Sequence, residues 1–102
     1  MDVTRIALLV KNPEDAWEGL RSALGLCLEG LTADLFFLDC LAGPPANQPA
    51  EDFQETLEML LDLGGEAFSN LPANREKWHG IDCFPLKTLA EKIKGCRLVA
   101  PF

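Results

Sequence analysis

Four cysteines and a single histidine are the residues in this 102-residue chain best suited to covalent chemistry. A cysteine acts as a nucleophile through its thiolate, so position and surroundings decide which of Cys27, Cys40, Cys83 and Cys96 could serve. No two of them have C-x-x-C spacing, and one histidine is too few for a Cys/His zinc site. A metal centre is therefore not expected. Cys40 follows a short apolar run and precedes a Gly/Pro-rich loop, which should leave it accessible. Cys83 lies within a short apolar segment, where burial would raise its pKa and hide it from a partner. Asp39, beside Cys40, opposes ionisation of that thiol, so a cation such as Lys11 would have to compensate. His79 stands between Trp78 and Gly80 and reads as a structural turn residue; a proton shuttle near Cys83 is the sharper alternative.

The elements that must position these residues begin with the stretch Thr4 to Cys40. Arg5-Ile6-Ala7-Leu8-Leu9-Val10 is apolar without alternation after Arg5, the pattern of a strand covered on both faces. Asn12 then suits a helix N-cap, Pro13 the first helical position, and Glu14 and Asp15 the positive helix end. Ala16, Trp17, Leu20, Ala23, Leu24, Cys27 and Leu28 recur at helical spacing, and Gly30 ends the helix. Gly19 and Gly25 inside it are costly unless the helix packs closely against the sheet or a neighbouring subunit. Leu35 to Leu38 forms a second buried strand. Two buried strands joined by a helix predict a parallel pair with a right-handed crossover.

The loop Leu41 to Ala50 leads to a second helix with Phe53, Leu57, Leu60 and Leu61 inward and Glu51, Glu55, Glu58 and Asp62 outward. Gly64-Gly65 ends it. Glu66 to Asn70 reads as a third strand, and Leu71 to Trp78 as a short helix or a structured turn. Ile81 to Phe84 is a fourth strand. Pro85 starts a last helix with Leu86, Leu89, Ala90 and Ile93 inward, and Cys96 to Ala100 is a fifth strand. Strands alternating with helices over residues 1–102 predict a single α/β domain, a three-layer sandwich on a five-stranded parallel sheet. In such sheets ligands bind beyond the carboxyl ends of the strands. Cys40 and Cys83 fall on that edge, Cys96 on the opposite one, and Cys27 in the core.

Composition narrows the partners. The net charge is −7, and no Lys or Arg lies between Arg21 and Arg75. Basic residues gather later, at Arg75, Lys77, Lys87, Lys92, Lys94 and Arg97. Nucleic acid and anionic membrane are poor partners for such a surface, whereas an acidic middle and a basic end could orient one subunit against another. With neither a membrane-length apolar run nor a leader-like N-terminus, the expected location is the cytoplasm, where the cysteines stay reduced.

Two known chemistries of such folds do not fit. The turn Lys11 to Asp15 has no glycine or hydroxyl to approach a phosphate and carries two acids, which argues against FMN or another anionic cofactor. A CheY-type receiver needs an acid cluster at a strand end and a lysine after the last strand, and Asp39 stands alone.

Arg5 to Val10, Asn12-Pro13, Arg21-Ser22-Ala23-Leu24-Gly25-Leu26 and Leu35-Phe36-Phe37-Leu38-Asp39 together resemble the opening of the DsrE/DsrF/DsrH-like proteins. Those include the TusB, TusC and TusD subunits of a sulfur relay. Ile81 to Phe84, Pro85-Leu86, Leu89-Ala90 and Cys96 to Phe102 resemble their last strand-helix-strand. The resemblance implies a flavodoxin-like sandwich with sheet order 4-3-2-1-5, assembly into dimers, trimers or hexamers, and partners that are other sulfur-relay proteins or identical subunits. It also implies a persulfide carried on a cysteine just after the third strand. There this chain departs, because its third strand ends Ser69-Asn70, and Cys40 replaces the glycine that commonly follows the acid matched by Asp39. Two functions follow: a persulfide carrier using Cys40, with Cys83 second, or a binding or scaffold subunit of the same fold with no covalent intermediate.

Overall fold

The computed structural model describes residues 2–102, with side-chain surroundings from Arg5 onward. Its strands are β1 (Asp2–Val10), β2 (Thr32–Phe37), β3 (Glu66–Ser69), β4 (Ile81–Cys83) and β5 (Cys96–Pro101). Its helices are α1 (Ala16–Leu28), α2 (Ala50–Asp62), α3 (Pro72–Lys77) and α4 (Leu86–Lys94). The sheet order is β4-β3-β2-β1-β5, and all neighbours are parallel. This is the α/β three-layer sandwich expected from the apolar runs.

Topology decides which face each helix covers. The chain steps from β1 to β2, β3 and β4 in one direction, so right-handed crossovers put α1, α2 and α3 on one face. It then returns past β1 to β5, which puts α4 alone on the other. The core divides accordingly. Leu8, Val10, Leu35, Phe37, Ala67 and Ile81 meet α1, α2 and Trp78 on the first face. Ala7, Phe36 and Phe68 meet Leu89 of α4 on the second. Phe36 and Phe68 are register partners, and their rings lie 5.2 Å apart. Residues on both faces of β2 are buried from Ala33 to Phe37, which is why that strand lacks alternation.

Several expectations are corrected. A 3-10 turn at Pro13–Asp15 precedes α1, so Pro13 opens that turn rather than the α-helix. Asn12 is extended, as a cap residue should be, but its side chain makes no capping bond. The second strand begins at Thr32 and ends at Phe37, one residue before Leu38. The fourth ends at Cys83, although the Phe84 amide still bonds the Ser69 carbonyl at 3.0 Å. Leu28, Leu86 and Ala90, placed inward by their spacing, are exposed.

The two helix glycines differ. A Cβ on Gly19 would sit 2.6 Å from Val10 Cγ2, so α1 is close-packed on β1 there. Around Gly25 nothing lies within 4 Å, so no contact within the chain requires a glycine at that position.

Candidate functional site

The carboxyl edge of the sheet is formed by the ends of β1, β2, β3 and β4. Val10-Lys11, Leu38-Asp39-Cys40, Ser69-Asn70 and Cys83 are delivered there. Cys40 and Cys83 share the edge but not a site. β3 lies between their strands, which are two strand spacings, about 10 Å, apart, and the Cys40 thiol turns further away, toward the Val10 carbonyl of β1.

The loop after β2 does not leave Cys40 accessible. The residue is 3% exposed, and its thiol donates to the Val10 carbonyl at 3.4 Å. Burial pushes its pKa up, and the carboxylates of Asp39, Asp15 and Glu14 push it further the same way. The charges acting on this thiol are thus acidic, and exposed Lys11 does not provide the compensation expected of it.

Two asparagines hold this loop down. Asn70 follows β3, the position at which the resemblance places a persulfide cysteine. Its side chain pairs twice with Asp39: the Asp39 amide donates to Oδ1 at 2.8 Å, and Nδ2 donates to Asp39 Oδ1 at 2.7 Å. Asp39 adopts φ +54°, a left-handed conformation that aspartate tolerates better than most residues. Asn74 of α3 is 1% exposed and works as a hub. Its Nδ2 donates to the Cys40 carbonyl at 2.9 Å and to Ser69 Oγ at 2.8 Å, while its Oδ1 accepts the Ala42 amide at 2.8 Å. Trp78 adds a bond from Nε1 to the Ala42 carbonyl at 2.8 Å and packs on Phe53 with ring centroids 4.5 Å apart. Sequence reasoning missed both asparagines as site residues. The available signal was their spacing around Pro72, with Asn70 closing the predicted third strand.

Cys83 differs from the other three cysteines in being only partly buried. It ends β4 in register with Ser69. Cys27 is a core residue whose sulfur accepts the Ala33 amide at 3.4 Å. Cys96 opens β5 at the opposite edge, buried, with its thiol toward the Lys92 carbonyl. The backbone of His79 is clasped by Gln54, which donates to its carbonyl at 2.8 Å and accepts its amide at 3.0 Å. That matches the turn role read from the sequence. Among the described residues, no cluster of three His, Cys, Asp or Glu is placed to hold a metal ion, and no helix is long and apolar enough to cross a membrane.

A cavity of about 210 Å³ lies at the opposite, amino edge, lined by Arg5, Asp34, Glu66, Phe68, Lys92 and Gly95. Its charges are partnered within the chain. Arg5 pairs with buried Asp34 at 2.6 Å and with Glu66 at 3.5 Å, and Lys92 sits over the Phe68 and Phe84 rings at 5.0 and 5.1 Å.

No protein-family model, curated protein or solved structure matches this chain. The candidate site therefore stands on its own geometry: a carboxyl edge whose central thiol is buried, with its pKa raised, whose third strand is followed by an asparagine clasp, and whose partly buried cysteine lies on the outer strand.

Proposed function

We propose that this chain is a binding or scaffold subunit of the DsrE-like, sulfur-relay type that carries no covalent sulfur. The observation that supports it is the Asn70–Asp39 clasp at the end of β3. It occupies the position that a persulfide cysteine would need, and it ties the neighbouring loop over Cys40. A sulfur carrier needs a thiolate that a donor can reach, and Cys40 offers neither charge nor access. In this reading the site is an ordered edge for docking other relay proteins or identical copies, in the cytoplasm, without cofactor.

A second reading keeps the carrier and moves it to Cys83, favoured by that residue's partial exposure at the carboxyl edge. The two are separated by incubating the native protein with a persulfide donor and mapping added sulfur by mass spectrometry. The binding reading expects no persulfide on any cysteine. One added sulfur on Cys83, lost in Cys83→Ser and retained in Cys40→Ser, would replace it with the carrier reading.

A further inference from the structure

α2 and α4 present outer faces of opposite character on opposite sides of the sheet. On α2, Glu51, Glu55, Glu58 and Asp62 follow at i, i+4, i+7 and i+11, one stripe away from the core. Met59, 51% exposed, borders that stripe, and exposed Leu63 follows just past the helix end. On α4, the exposed residues Leu86, Ala90 and Lys94 run at i, i+4 and i+8, with Lys87 beside them. Each face is an apolar strip edged by charge, acidic on α2 and basic on α4. Among the described residues, none of Glu55, Glu58, Asp62, Lys87 or Lys94 takes part in an ion pair.

We propose that α4 of one copy docks on α2 of a second copy, giving a head-to-tail association. The chain carries both halves of the complement, but the sheet lies between them, so they cannot meet within one molecule. Ala90 at the centre of the basic face lets the facing helix approach closely, and Met59 is a flexible side chain able to fill the space beside it. The four acids facing Lys87 and Lys94 outweigh the one like charge on that face, Glu91. Net repulsion between copies of charge −7 is screened beyond about 8 Å at physiological salt, whereas contacting pairs act at shorter range. Because the two faces differ, the contact is heterologous and extends to rings or open chains rather than stopping at a twofold dimer.

The proposal rests on the binding reading, since it names one partner of such a module. Persulfide on a cysteine would end that reading without altering the association measured here. Sedimentation equilibrium tests it with Ala90→Glu, which sets an acid against the acidic stripe, and Met59→Glu, which disrupts the other side. Both positions are exposed, and circular dichroism verifies that the variants fold. The wild-type mass should rise with concentration, each variant alone should stay at the monomer mass, and an equimolar mixture should form a 1:1 pair and nothing larger. In that mixture one native α2 face meets one native α4 face, and the remaining faces are blocked. A monomeric wild type, either variant self-associating alone, or a mixture that stays monomeric would overturn the proposal.

Discussion

Cys40 and Asn74 illustrate how single side chains set the character of the carboxyl edge. The Cys40 thiol is held neutral by burial first and by Asp39, Asp15 and Glu14 next. Its folded pKa is raised, so above the ordinary thiol value the unfolded chain releases a proton that the folded chain keeps. Stability should therefore fall as pH rises through that range, and Cys40→Ala should flatten this alkaline decline in urea titrations at a series of pH values. In native thiol labelling, Cys83 should react first, and Cys40 only at the rate of unfolding. Asn74→Ala should leave the Ala42 amide and the Cys40 carbonyl without their partners. The expected loss is about 3 kcal/mol, read from denaturant midpoints. Asn74→Asp should not rescue it, because a carboxylate cannot donate to the Cys40 carbonyl or to Ser69 Oγ.

At the scale of elements, α1 offers a paired test of packing against propensity. Gly19→Ala gains about 1 kcal/mol of helix propensity but drives a methyl to within 2.6 Å of Val10 Cγ2. Val10 is buried and β-branched, so it has little freedom to turn aside. Overpacking of this kind costs about 1–3 kcal/mol, and Gly19→Ala should destabilise on balance. Gly25→Ala meets nothing within 4 Å and should stabilise by up to about 1 kcal/mol. Thermal melts of the two variants should shift in opposite directions. Equal shifts would contradict the close approach of α1 to β1.

Across the whole molecule, the sheet has an uneven cover, with α1, α2 and α3 on one face and the nine-residue α4 on the other. The centre lies at β1, β2 and β3, where both faces are filled. β4 is a three-residue outer strand, and β5 is an outer strand with Leu98 55% and Val99 46% exposed. Native-state hydrogen exchange should show its slowest amides in β2 and the adjoining part of β1, with β4 and the outer half of β5 exchanging earlier. Uniform protection across all strands would contradict this gradient.

The amino-acid sequence by itself determined the parallel α/β class. Buried strands read as unbroken apolar runs, helices as stripes of 3.6 periodicity, and both are local patterns. The same patterns placed Cys40 and Cys83 on the carboxyl edge and Cys96 on the other. Only the tertiary structure decided how accessible each thiol is. Cys40 is buried through bonds to Val10 and Asn74, partners thirty or more residues away, and the Asn70–Asp39 clasp spans a similar distance. No local pattern encodes such pairings, because they depend on which strand ends the sheet order makes neighbours. Leu28, Leu86 and Ala90 show the same limit for burial. Periodicity gives the direction in which a side chain points around its helix, but whether anything lies there depends on how far the sheet extends beneath it.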